Sequence, residues 1–586
     1  MKVGSSKSPL PKHSRKPAKS AGAGRLPQAV WLGLIIVLAT LAAYAPAFSG
    51  GFVWDDDDWV TNNQTLRSLG GLWDIWFNPA ATPQYYPLIH TGFWLEYHLW
   101  GLNPLGFHLV NVLAHLAAAL LLWRLLWRLK LPGAWLAAAI FALHPLEVES
   151  VAWVTELKNV LSAVFYFLAA LAYFRFAGLE GNGEPPPKNR RYYWVAFGLF
   201  LAALLCKTVT CSLPAALLLV FWWKRGALPW REAVRLLPFF VAGICFGLGT
   251  ASLERHHVGA AGPDWAFTFV ERCLIAGRAL CFYAAKLVWP CGLTFSYPRW
   301  QIDAAVWWQW LFPAAVAGLV AGLWLARRRI GRGPLVAVLF FAGTLGPALG
   351  FINVYPMRYT LVADHFQYLA GLGLIVLAAS SLTVFCDRRQ LGRNARMVLA
   401  GTVLTIYASL TFLQCRVYKN AETLWTDTLN KNPGSWVAHL NLGLWYVSQE
   451  QLDLAEQQYR LAVELRPGDG ELHGNLGNLL VREQQFEAAR VEYQRAIQID
   501  PKDAETHNNL GVVLSRLQRM DEAVAEYERA IFYKPDYAGA YYNLGSARAA
   551  QDNPAAAAAA YRQALRLKPD SKVFRKQVQA LGVPPE

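Results

Sequence analysis

The sequence predicts an all-α chain: a membrane-embedded bundle of about eleven spans, followed by a solenoid of paired helices. Three observations predict it. Residues 1–415 carry run after run of Leu, Ala, Val, Phe and Trp, long enough to cross a bilayer. Basic residues cluster at alternate ends of those runs. The remainder is charged, helical in pattern and repeats every 34 residues. A chain of 586 residues that is 55% hydrophobic is too apolar for an ordinary soluble enzyme and too long for one core. The net charge of +15 follows the span ends rather than a continuous stripe, so no nucleic-acid partner is expected. Eight cysteines without a CxxC pair indicate neither a zinc site nor a disulfide framework.

In chain order, residues 1–27 read as a basic, Pro/Gly-rich, disordered cytosolic tail. The apolar run at 28–48 lacks a small-residue cleavage site and reads as a retained first span. Further spans fall near 107–129, 132–146, 159–177, 192–206, 208–223, 234–253, 304–326, 334–352, 366–386 and 397–414. The clusters Arg124/Arg128/Lys130, Arg175/Lys188/Arg190/Arg191, Lys224/Arg225/Arg231/Arg235, Arg327/Arg328/Arg329/Arg332 and Arg388/Arg389/Arg393/Arg396 mark the cytosolic connections. The stretch 270–290 carries Arg272, Arg278 and Lys286, each costly in lipid, and reads as re-entrant or interfacial within a segment near 268–300. The N-terminus is then cytosolic, and the C-terminal domain shares the outer side with the 49–106 loop.

Pro433, Pro467, Pro501, Pro535 and Pro569 set the 34-residue period. The tripeptide NLG recurs at 441, 475, 509 and 543, with Ala455/Ala489/Ala523/Ala557 and Tyr459/Tyr493/Tyr527/Tyr561 in phase. This is the tetratricopeptide pattern, with small residues where two helices approach and Pro at the break. Repeats are expected at 436–469, 470–503, 504–537 and 538–571, after a half-repeat from 416, with a capping helix and tail over 572–586. Such an array offers a concave groove to an extended peptide, and Asn441, Asn475, Asn509 and Asn543 are the candidate groove residues.

The topology sends several polar motifs to the outer face: DDDDW at 55–59, HPLEVES at 144–150, ELKN at 156–159, Lys207, MRY at 357–359 and ADH at 363–365. An Asp at mid-bilayer costs roughly 3 kcal/mol, so Asp55–Asp58 belong at or beyond the outer interface. If that stretch is extended, alternate side chains face opposite ways and at most two of the four enter one pocket. Such a carboxylate pair suits a general base or a metal ligand. HPLEVESVAWVTELKN adds His144, Glu147, Glu149, Glu156 and Lys158 at a span junction. Lys207, between two apolar runs, needs an anionic partner, which a phosphate or one of the glutamates serves equally.

The segments FVWDD…NN, YYPL…GLNPLGFHLVNVLAH, ALHPLEVESVAWV and LLCK, followed by the repeats, resemble the transmembrane and tetratricopeptide-repeat O-mannosyltransferases and their bacterial relatives, within the GT-C membrane glycosyltransferases. The likeness runs in order from about residue 28 to 568. It implies that Asp55 and Asp56 are the catalytic acidic pair of the first external loop. It also implies a sugar donor carried on a polyprenyl phosphate and an acceptor Ser or Thr hydroxyl on an exported protein. The chain departs from the family pattern at Tyr86, Glu147 and Thr208, where animal members carry Arg, His and Glu.

The mechanism expected on these residues has Asp55 or Asp56 accept the acceptor's proton. Lys158, Lys207, Lys286 or Arg358 would stabilise the departing phosphate. His144, Glu147 and Glu149 would line the sugar site, the glutamates orienting the sugar or holding a divalent ion such as Mg or Mn. The repeats would dock the acceptor protein, and membrane lipid would surround the donor's tail. A composition rich in Ala, Leu and Arg points to a bacterial inner membrane with the repeats in the periplasm. A lipid-linked oligosaccharide ligase or polymerase is the nearest alternative, although such enzymes place basic and His residues in a large late external loop. A non-enzymatic scaffold for envelope assembly would leave Asp55–Asp58 and Lys207 without a role, and no inverted repeat supports a transporter.

Overall fold

The computed structural model describes residues 28–179, 189–227 and 230–580, all of them helix, turn or loop without a strand. The expected tail 1–27, Lys188 and the terminal residues 581–586 lie outside the described residues. Five helices are long and apolar enough to cross a membrane: Pro104–Arg128, Val154–Ala177, Trp230–His256, Trp307–Ile330 and Arg393–Lys419. A sixth span forms if Ala134–Leu143 and Pro145–Ala152, bent by 51° at their junction, count as one. The other apolar runs give shorter helices, including Gln28–Ala43, Arg191–Cys206 and Gly333–Ala348.

Two of the shortened runs have a local cause. The run at 132–146 breaks at His144, whose extended backbone precedes Pro145. The run at 208–223 begins as a 3₁₀ turn over Thr208–Ser212, leaving 13 residues of α-helix, Leu213–Arg225. The stretch read as re-entrant or interfacial is one continuous helix, Phe269–Val288, opened by a capping box between Thr268 and Glu271. Its Arg272 is satisfied by the carbonyls of Phe267, Trp265 and Gly350 and by Asn353, while Arg278 lies 4.4 Å from the Trp300 ring.

The solenoid follows from the repeat period. Its helix pairs are Trp436–Ser448 with Leu452–Leu465, Gly470–Arg482 with Phe486–Ile499, Ala504–Arg516 with Met520–Tyr533, and Ala538–Ala550 with Pro554–Leu567. Within each pair a glycine of the first helix meets a tyrosine ring of the second. A Cβ on Gly477 would sit 2.7 Å from Tyr493 Cε1, and one on Gly511 would sit 2.6 Å from Tyr527 Cε1. Gly477→Ala should therefore lower stability by about 1–3 kcal/mol through overpacking. Thermal unfolding of the full chain, read by the loss of helical dichroism, checks it. The first helices of the second, third and fourth repeats also touch one another in succession.

One apolar core runs from the membrane bundle into the repeats. It includes Tyr44, Trp59, Phe107, Trp153 and Tyr368, and continues through Trp425 of the helix Ala421–Lys431 to Ala438 and Leu442. Polar contacts reinforce this join: Arg358 pairs with Asp469 (2.6 Å) and Glu471 (3.3 Å), Arg466 with Asp264, and Lys431 Nζ with the Leu293 carbonyl (2.7 Å). The backbone N–H of Gly51 donates to the Lys419 carbonyl at 2.8 Å, so the first loop is tied to the start of the half-repeat.

Candidate active site

The acidic stretch is not extended. Trp54 has φ +51°, the left-handed region that bulky residues rarely adopt. Such strain persists only where the surroundings over-determine it. The Trp54 ring stacks on Trp153 (5.5 Å) and meets the edges of Phe295 (5.0 Å), Tyr359 (5.7 Å) and Trp425 (6.1 Å). The chain then winds directly into a short π-helical turn, Asp57–Thr61. As a result the inward pair is consecutive rather than alternate. Asp56 is buried and Asp55 half-buried, while Asp57 and Asp58 face solvent.

The two inward carboxylates differ in what they touch. Asp56 Oδ2 accepts from the Val53 N–H (2.8 Å), and its Oδ1 accepts from both the N–H (2.8 Å) and the hydroxyl (2.5 Å) of Thr155. Asp55 Oδ1 is buried without a hydrogen-bond partner. Burial pushes Asp55 up to about 8, with the Lys158 ammonium pulling the other way. Burial also lifts Asp56 to about 7, opposed chiefly by its hydrogen bonds to Thr155 and Val53.

Beside them sits a cationic pair on one carboxylate. Glu156, fully buried, is 2.9 Å from Lys158 Nζ through Oε1 and 3.1 Å from Lys207 Nζ through Oε2. Asn159 Nδ2 also donates to Oε2 at 2.5 Å. Lys158 lies over the faces of Trp59 (4.6 Å) and Trp153 (5.4 Å). One carboxylate thus holds two cations, with Asp55 acting on Lys158 and Glu254 on both lysines. A cavity of about 150 Å³ opens against Lys207, lined by Tyr86, Asn159, Thr208, Glu254 and His365 among others.

Of the other residues singled out from sequence, Glu149 lies in the same polar belt. Its Oε1 is 2.8 Å from His365 Nδ1, and its Oε2 accepts the His365 N–H at 3.2 Å. Glu147 is buried, and neither of its oxygens has a partner. His144 caps the 3₁₀ turn Pro145–Glu147 by accepting from the Leu146 N–H, and its Nε2 is 3.1 Å from the Leu287 carbonyl. Lys286 donates to the carbonyls of Cys291 (2.5 Å) and Gly292 (3.2 Å), and Arg358 is held by the repeat carboxylates. Neither of these cations pairs with Asp55 or Glu156. Among the described residues, no three His, Cys, Asp or Glu side chains gather as ligands for a divalent ion.

All four asparagines are half-buried on the first helices of their repeats. Asn441 bonds back to the Val437 carbonyl, Asn509 donates to Asn478, and Asn543 donates to Asn508. One residue of the site, Thr155, was not among the sequence candidates. Glu156 was, and it is the glutamate that serves Lys207. Thr155 carried no signal, since only folding brings it to Asp56.

Comparison with known proteins agrees with the resemblance read from the sequence. Residues 477–518 and 516–552 match a TPR repeat model, and 538–571 and 416–470 match tetratricopeptide repeat models. The mouse protein O-mannosyl-transferase TMTC4 is 28% identical over 501 residues, covering 73% of this chain and 66% of that protein. Human TMTC1 is 25% identical, with 77% of this chain and 57% of that protein aligned. The Caenorhabditis elegans protein O-mannosyl-transferase F38B6.6 is 24% identical, with coverages of 74% and 62%. The chain therefore spans less than two thirds of the length of these relatives. Among solved structures, that of YrrB, a TPR protein, is 22% identical over 30% of this chain and 89% of that one, at a TM-score of 0.26.

Proposed function

We propose that this relative of the transmembrane and tetratricopeptide-repeat O-mannosyl-transferases is an integral-membrane glycosyltransferase. It moves a mannose-like sugar from a polyprenyl-phosphate donor to Ser or Thr hydroxyls of exported proteins. The observation that carries the reading is the division of labour at the first loop. Asp55 keeps a buried, unbonded oxygen and feels the charge of Lys158, which shares the Glu156 carboxylate with Lys207.

Asp55 is then the general base and Asp56 the residue that holds it. The acceptor oxygen forms its bond to the anomeric carbon as the bond from that carbon to the phosphate oxygen breaks. The electron pair leaves with the polyprenyl phosphate, and the hydroxyl proton passes to Asp55. Lys207 and Lys158, already in place before the reaction, stabilise the charge gathering on the phosphate. The cavity at Lys207 receives the phosphate end of the donor, and the inner face of the solenoid presents the acceptor polypeptide. By the charge pattern of the connections the site faces the outer side, which is the periplasm in the bacterial inner membrane that the composition points to.

The test is transfer of mannose by the purified full chain from a polyprenyl-phosphate donor to a Ser/Thr peptide of an exported protein. Because the base must be ionised, the rate should rise with pH as Asp55 gives up its proton towards about 8. Stability should run the opposite way. An acid raised by burial binds its proton more tightly folded than unfolded, so its contribution is full below the ordinary carboxylate range and falls away as pH climbs through that value. A rate that is flat or falls between pH 5.5 and pH 7, below the value of about 8 to which burial brings Lys207, would remove Asp55 as the base.

A further inference from the structure

The membrane bundle carries another cavity, lined by none of Asp55, Asp56, Lys158 or Lys207. A lateral slot of about 750 Å³ lies between the helices Gln28–Ala43, Ala134–Leu143 and Arg393–Cys415. Its size is within the range of roughly 300–1,000 Å³ usual for ligand pockets. Its walls are apolar and small-featured, with Ile36, Ala39, Ala139, Ala400 and Leu404 among them. One wall is pinned by the Trp135 indole N–H, which donates to the Leu32 carbonyl at 3.0 Å.

All the charge is at one end. Arg393 and Arg396 are the charged lining residues, and the lining then runs along the helix to Ala408. At 1.5 Å per residue that is a length of about 22 Å, more than one leaflet of a hydrocarbon core about 30 Å thick. Arg396 is engaged by Asp387 and by the Leu391 and Cys386 carbonyls. Arg393 is exposed and makes no hydrogen bond or ion pair with the described residues. The local stretch carries Arg388, Arg389, Arg393 and Arg396 against Asp387 alone.

The geometry points to a structural site for an anionic phospholipid, its phosphate at Arg393 and one acyl chain lying in the slot. Charge complementarity selects the occupant: a long apolar trough with a free guanidinium at its mouth matches a chain that ends in an anionic head. Basic pockets between membrane helices on the cytosolic side bind such head groups. The donor lipid is a poorer match, because its phosphate must reach the other end of the same helix. Gly51, four residues before Asp55, bonds to Lys419 just past that end, while Arg393 is its first residue.

The test uses the full chain in nanodiscs of dioleoylphosphatidylcholine with or without dioleoylphosphatidylglycerol, with retained lipid read by native mass spectrometry after detergent extraction. The wild type should keep several-fold more phosphatidylglycerol than phosphatidylcholine. Arg393→Ala, a change at an exposed side chain, should erase that preference. Gly401→Leu adds a side chain where a Cβ meets nothing within 4 Å, so it fills the slot without a backbone clash and should abolish retention of both lipids. Equal retention of the two lipids by the wild type would overturn the proposal. So would an undiminished preference in Arg393→Ala, a polyprenyl phosphate recovered in place of phospholipid, or a second copy of the chain seated on this face.

Discussion

Asp55→Asn should reduce sugar transfer by about 100-fold or more, the low end of the 10²–10⁴ that a positioned general base supplies, and leave the melting temperature unchanged. The side chain has no hydrogen bond at Oδ1, and burial already favours its neutral form, so a neutral amide of the same shape costs the fold little. Asp56→Asn should behave differently although it lies one residue away. Its oxygens accept from Val53 and Thr155, and an amide nitrogen placed against either N–H leaves a buried donor unmet. That costs about 1–3 kcal/mol. Asp56→Asn should thus lose stability and activity together, and Thr155→Ala should follow it in the same direction. Parallel melts and transfer assays of the three variants separate a residue that reacts from one that positions. Full activity in Asp55→Asn would end the assignment.

The largest effect on stability is expected at Glu156. Removing it as Glu156→Ala leaves the Lys158 and Lys207 ammonium groups buried without their shared counter-ion. Breaking a buried ion pair by deleting one partner costs about 3–5 kcal/mol. The variant should show a sharply lower melting temperature or fail to accumulate. Adding Lys207→Met to Glu156→Ala removes one stranded charge and should recover part of the loss. The double-mutant cycle, read by thermal unfolding, measures how strongly the two are coupled. If the single and double variants melt together, Lys207 is not held by Glu156.

The solenoid was legible because a 34-residue period is redundant: Pro, Asn-Leu-Gly, Ala and Tyr recur in phase, and any one of them fixes the others. The membrane bundle was legible in bulk, through hydropathy and the alternation of basic clusters. Its individual helices were less so, since His144–Pro145 and the turn Thr208–Ser212 break apolar runs without changing their composition. At the site, four adjacent aspartates announced themselves, but which of them point inward depends on the backbone of Trp54. That conformation is imposed by rings from residues 153, 295, 359 and 425, none adjacent in the chain. The same limit applies to Thr155, whose bond to Asp56 spans 99 residues.

Trp425 belongs to the half-repeat, yet its ring edge meets Trp54 beside the acidic turn. The near end of the solenoid is therefore clamped to Trp54, the residue before Asp55. Repeats gained or lost beyond Pro569 would move the distal grip outward or inward in fixed steps while the proximal one stays put. If the solenoid presents the acceptor as proposed, such a part would work as a calliper: the number of repeats would set how far along a polypeptide the recognised stretch lies from the modified hydroxyl.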